Sequence, residues 1–146
     1  MSKTIVLATD HAGFELKEYV KNFLQNKGYN IKDFGALEYD SLDDYPDFII
    51  PAAKHIAEHN LIGIIFGGSG QGEAMAANRI KGIRAAVFYN GPNEIVELSR
   101  MHNNANILSI GARFLSNQEA ESIIELWLST DFEEGRHEKR INKLDS

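Results

Sequence analysis

Short β-branched runs alternate with longer helical stretches from one end of this chain to the other, and this alternation constrains the fold most. Residues 5–8 read as a buried strand. A helix is expected over 11–27, with Leu16, Val20, Phe23 and Leu24 at helical spacing and Gly28 as its stop. A second strand over 29–34 precedes a helix over 47–60 that lines up Ile49, Ile50, Ala53, Ile56 and Ala57. Residues 61–66 form an apolar run suited to a central parallel strand. Strands are also expected over 83–88 and 106–110, and helices over 73–79, 93–101, 117–129 and the tail 133–144. The expected fold is α/β: a single Rossmann-like, doubly wound, five-stranded parallel sheet with helices on both faces and a C-terminal helical tail. At 146 residues, with no repeat or linker, residues 1–146 are expected to form one domain.

In sheets of this kind, ligands bind beyond the carboxyl ends of the strands. Attention therefore falls on Asp10 and His11, on residues 67–73, and on residues 111–113. Composition narrows the chemistry. There is no cysteine, which removes disulfides, thiolate nucleophiles and cysteine-ligated metals. The N-terminus runs straight into a short apolar strand, and no stretch approaches a membrane span, so a cytoplasmic location with no membrane partner is expected. A net charge of −6 argues against nucleic acid while leaving room for a small anion where arginines gather.

The densest signal is Gly67-Gly68-Ser69-Gly70-Gln71-Gly72-Glu73, with four glycines in six residues directly after a buried strand. A tight turn needs one or two; four suggest that the backbone must come close to something. Successive amides at a helix N-terminus form an anion nest. A P-loop would need a lysine that is absent, and a dinucleotide fingerprint would need a glycine where Glu73 stands. From its position alone, Glu73 reads first as an acid in a first helical turn that complements the helix dipole. The acid-rich segment 38–47, with five acids and no base, reads as a solvated loop ending near Pro46.

His55 and His59, four apart on a helix, lack an evident third metal ligand and read as a solvated face. His102 lies in a turn before the fifth strand, and His137 in the tail. Arg136 and Arg140 share a helix face at i, i+4. Guanidinium forks suit phosphate, but on spacing alone pairing with Glu133 or other tail acids is the favoured reading. Arg113 follows the fifth strand at the ligand edge.

Seven stretches, taken in order, are similar to a known family. They are Asp10-His11-Ala12-Gly13-Phe14, Asp44-Tyr45-Pro46-Asp47, the glycine loop with Ala76-Ala77-Asn78-Arg79, Gly82-Ile83-Arg84-Ala85, Ser99-Arg100-Met101-His102-Asn103, Gly111-Ala112-Arg113, and Gly135-Arg136-His137 with Arg140. Together they resemble the type B ribose-5-phosphate isomerases, a family that includes galactose-6-phosphate isomerase subunits. One branch of that family uses a cysteine base at the position of Gly67. The other has glycine there and a glutamate six residues later, which is Glu73 here. Glu134 departs from the second glycine that often precedes Gly135-Arg136-His137.

The resemblance implies an aldose–ketose isomerase that interconverts ribose 5-phosphate and ribulose 5-phosphate in the pentose phosphate pathway, without metal or cofactor. Glu73, its pKa raised by partial burial, would carry a proton between C2 and C1. Gly68, Ser69, Gly70, Gln71 and Gly72 would cradle the enediolate, with Ser69 holding or shuttling a hydroxyl proton. His102 would open the sugar ring with help from Asp10, and Asn103 would bind the opened sugar. His11, Arg113, Arg136 and Arg140 would hold the phosphate. The resemblance also implies a homodimer with shared sites, able to pair into a tetramer, in which His102, Asn103 and Arg113 come from the neighbouring subunit. Shared motifs leave open a galactose, allose or tetrose phosphate substrate, and a non-catalytic sugar-phosphate-binding module.

Overall fold

Strands β1 (Thr4–Thr9), β2 (Asn30–Asp33), β3 (Ile62–Gly67), β4 (Ala85–Phe88) and β5 (Ile107–Gly111) build one sheet in a computed structural model that describes residues 3–146. The order across the sheet is β2-β1-β3-β5-β4, and every pairing is parallel. The helices are α1 (Phe14–Asn26), α2 (Pro46–His59), α3 (Gln71–Ala77), α4 (Glu94–Met101), α5 (Asn117–Ser129) and α6 (Arg136–Ile141). The steps β1→β2 and β4→β5 run one way across the sheet; β2→β3 and β3→β4 run the other. Right-handed crossovers therefore put α1 and α4 on one face and α2 and α3 on the other. Contacts agree: α5 packs on α1 and α4, while α2 packs on α3.

Period-two alternation divides each central strand between two cores. Ile5, Leu7, Ile64 and Phe66 face Leu16, Val20, Leu24, Ile124 and Trp127. Val6, Ala8 and Ile65 face Ile49, Ala53, Ile56 and Ala77. Burying each large apolar side chain contributes about 1.5–3 kcal/mol before entropy is charged. Both faces are covered, as the unbroken apolar run of β3 requires.

Several boundaries move for local reasons. The first helix opens with a 3₁₀ turn, His11–Gly13, because the Asp10 carboxylate caps the Ala12 amide at 3.0 Å. Gly28 does end α1, at a φ of 95° that suits glycine. β4 begins at Ala85 and not at residue 83, because the Ile83 amide bonds back to Ile80 and the Arg84 amide goes to the Asn106 side chain. α3 starts two residues before the expected position and ends at Ala77. The tail helix shrinks to Arg136–Ile141.

Candidate active site

The switch in crossover direction at β1 and β3 leaves an opening between their carboxyl ends. Asp10 ends β1, the glycine loop follows β3, and Arg113 lies in the turn after β5. Gly70 has φ 79°, and its carbonyl accepts from Ser109 Oγ at 2.6 Å, which lays the loop across the end of β5. The Arg113 amide donates to the Gly68 carbonyl at 3.1 Å. Among the described residues, the amides of Ser69, Gly70 and Gly72 have no protein acceptor, so the loop presents free donors. The Ser69 hydroxyl accepts from the Gln71 amide at 3.3 Å.

The other loop glycines make room for functional side chains. A β-carbon at Gly67 would fall within the Glu73 carboxyl group. One at Gly68 would come within 2.9 Å of the Arg113 guanidinium carbon, and one at Gly72 within 2.9 Å of the Tyr45 hydroxyl. Glu73 is 5% exposed. Burial raises its carboxyl pKa above the ordinary range, and the charge of Asp10 adds to this, while its own amide and Arg113 pull the other way. A proton acceptor raised toward neutrality, beside free amides and a guanidinium, suits proton abstraction next to a carbonyl.

Asp43 enters this group although the segment 38–47 reads as solvated. Its Oδ1 accepts both from the His11 amide at 3.0 Å and from His11 Nδ1 at 2.7 Å. The contact spans 32 positions and has no signature in sequence. Tyr39 meets the His11 ring edge-on at 6.2 Å. Arg113, which the resemblance assigns to a neighbouring subunit, lies instead in this chain's own cluster with Gly68, Glu73 and His11. The reason is connectivity: Arg113 follows β5 directly and so emerges at the carboxyl edge.

The remaining expected residues lie elsewhere. α4 runs from the carboxyl edge back to the amino edge, so His102 and Asn103 fall before β5, at the opposite end of the sheet. Five-residue β5 alone spans about 13 Å. The tail comes to the same end, with the Glu133 amide bonded to Met101 and the Gly82 amide to Asp145. His102 stacks on buried His137 at 4.2 Å, and both approach Glu133, at 3.6 and 3.5 Å. Arg136 and Arg140 are exposed and make no ion pair among the described residues, so the tail acids do not engage them. The structure thus gathers Asp10, His11, residues 67–73 and Arg113 at one end, and His102, Asn103, Arg136 and Arg140 at the other.

Two sets of donors, His102–Glu133–His137 and Asp10–His11–Asp43, have atoms within 4.8 Å of one another. In the first set the rings lie nearly parallel, 15° apart, so their lone pairs do not converge on one point. The second is closed by its own hydrogen bond. Neither presents a coordination sphere as it stands.

A sequence profile of the Ribose/Galactose Isomerase family matches residues 5–144. The ribose-5-phosphate isomerase B of Mycolicibacterium paratuberculosis is 41% identical over 142 residues, covering 96% of this chain and 88% of that protein. A crystal structure of the ribose-5-phosphate isomerase B of Mycoplasma genitalium with bound ribulose 5-phosphate superposes with a TM-score of 0.92 at 38% identity, covering 99% of this chain and 95% of that one. The Thermotoga maritima ribose 5-phosphate isomerase structure gives 0.92 at 42% identity, covering 99% of both chains.

Proposed function

Because the chain belongs to the ribose/galactose isomerase family over nearly its whole length, we propose that it interconverts ribose 5-phosphate and ribulose 5-phosphate, as one domain over residues 1–146, with Glu73 as its base. The observation that carries this choice of base is the Glu73 carboxyl group, buried in the space that Gly67 leaves open and raised in pKa. Relatives named for this one substrate favour it over hexose and tetrose phosphates, and over a silent binding module. The reading entails a cytoplasmic enzyme, since its substrate is a charged metabolite.

Glu73 takes the C2 proton of the open-chain aldose. The electrons of the broken C–H bond form the C1–C2 double bond, and the carbonyl oxygen becomes the enediolate oxygen. The free amides of the glycine loop stabilise that anion. Returning the proton to C1, with the C2 hydroxyl proton passed through Ser69 to the C1 oxygen as the C2 carbonyl forms, gives the ketose. Asp10 and His102 assist ring opening, and Asn103 holds the opened sugar. His11 and Arg113 of one chain grip the phosphate with Arg136 and Arg140 of another. Two copies complete each site, because one chain holds these groups about a strand length apart. Such a dimer can pair further into a tetramer.

The test is an isomerase assay over a panel of aldose phosphates, with two variants. Glu73→Gln is expected to lose solvent exchange at C2 by roughly 10²–10⁴-fold while retaining substrate binding. His102→Asn is expected to be slow on cyclic substrate and spared on an open-chain analogue. Undiminished turnover by Glu73→Gln would overturn the assignment of the base.

A further inference from the structure

We propose that Asp43 is a positioning residue that holds His11 in its imidazolium form, so that the affinity for the substrate phosphate does not decline across neutral pH. This rests on the reading of His11 as a phosphate ligand. The geometry carries it. One oxygen of Asp43 receives both the backbone amide and the Nδ1 of His11, at 3.0 and 2.7 Å. The other oxygen is buried and has no partner. The side chain is only 9% exposed. A carboxylate so placed, with half of its hydrogen-bonding capacity unmet, needs a cation beside it, and His11 is the group in contact. The bond to Nδ1 also fixes which nitrogen is left for substrate: Nε2 points away from Asp43 and can donate to a phosphate oxygen only while the ring is protonated or its tautomer reversed.

The groups facing the ring act as follows. Asp43, from the loop before α2, raises the His11 pKa above 6.5, most strongly through its hydrogen bond. Desolvation opposes it, Asp10 at the end of β1 adds to it, and Arg113 after β5 subtracts. The Tyr39 ring meets His11 by its edge. Without the carboxylate, the ring loses its largest source of stabilisation as a cation. It then deprotonates across neutral pH and, while Nδ1–H stays bonded to the amide oxygen that replaces the carboxylate in Asp43→Asn, turns the Nε2 lone pair toward the phosphate. Arginine side chains in general do not titrate in this range, so a guanidinium phosphate ligand cannot produce such a pH dependence.

The experiment measures KM for ribose 5-phosphate against pH in the unaltered protein and in Asp43→Asn, taking the ratio at each pH so that ionisation of the phosphate itself cancels. The ratio is expected to stay within about twofold near pH ~6 and to rise roughly tenfold by pH ~8, with kcat changed less than about twofold. NMR titration of the His11 ring is expected to give a pKa above the ordinary 6.5 in the unaltered protein and a lower one in the variant. A KM ratio flat across pH, or an ordinary His11 titration in the unaltered protein, overturns the proposal; the second measurement needs no variant to fold. His11→Asn separates the two readings. If it leaves KM unchanged at every pH, His11 does not hold phosphate and both fail. If it raises KM while the Asp43→Asn ratio stays flat, only the role of Asp43 fails.

Discussion

Glu73 occupies a place that disfavours its charge, and the glycine beneath it exists to allow that. A β-carbon at Gly67 would overlap the carboxyl group, so any larger residue there drives Glu73 away. The sign of the resulting pH dependence can be worked out. The folded-state pKa is raised, chiefly by burial, so between the unfolded and folded values the native protein binds more protons than the unfolded chain. Stability therefore falls as pH rises through that window, and above it the full penalty is present. Glu73→Gln keeps the shape and removes the charge. It is expected to unfold at a higher temperature near neutral pH, by roughly 1 kcal/mol of added stability. The advantage should shrink as pH falls toward the ordinary glutamate value of 4.5, where both proteins are neutral at this site. Thermal melts at the two pH values measure it. A variant no more stable than the parent at neutral pH would mean that Glu73 is not strained by burial. Position in sequence leaves this undecided, because an acid in a first helical turn looks the same whether it caps a helix or faces a substrate.

At the scale of elements, a buried ion pair sets where the acidic loop begins. Lys17 on α1 is fully buried and reaches Asp33 at the end of β2 at 2.7 Å, and also the Ala36 carbonyl at 2.7 Å. Burial raises the Asp33 pKa, but Lys17, the Gly35 amide and Lys21 more than offset this, so the net shift is downward. A carboxyl depressed in the folded state contributes stability above its unfolded pKa and loses it as pH falls through the folded one. Lys17→Ala leaves Asp33 with only the partly exposed Lys21 as a cation, and is expected to cost about 3–5 kcal/mol near neutral pH, less in acid. Denaturant unfolding at the two pH values checks this; an equal loss at both would assign the cost to packing alone. The elements themselves were legible, because apolar periodicity and punctuation by residues such as Gly28 act locally. Lys17 was not: it sits on the buried stripe of α1 beside Leu16 and Val20, and nothing nearby in sequence announces a carboxylate on β2. Asp43 escaped for the same reason, as one acid among five whose partner lies 32 positions away. Short-range patterns report helices and strands; long-range polar pairs depend on how those are stacked.

At the scale of the whole molecule, parallel strands with helical returns have two distinct ends, and this chain carries candidate site residues at both. The rule that ligands sit beyond the carboxyl ends locates Asp10, the glycine loop and Arg113 correctly from sequence. It also implies that His102, which precedes β5, must lie at the amino end, a consequence visible in the order of elements alone. Sharing between copies then follows as a proposal with a quantitative signature. With cyclic ribose 5-phosphate as substrate, Glu73→Gln and His102→Asn each disable every site of their own homo-oligomer. A mixed dimer brings both substitutions to one site and leaves the other site with an intact Glu73 and an intact His102. Unfolding and refolding the two variants together in equal amounts makes half of the dimers mixed, so activity is expected to return to about a quarter of the unaltered level. The controls are each variant refolded alone, and the mixture without refolding, in which subunits have not exchanged. Recovery near that fraction requires two chains per site. A refolded mixture as inactive as its parents, with mixed dimers present by mass, would place Glu73 and His102 in the same chain's site and so contradict the separation between the two ends of the sheet.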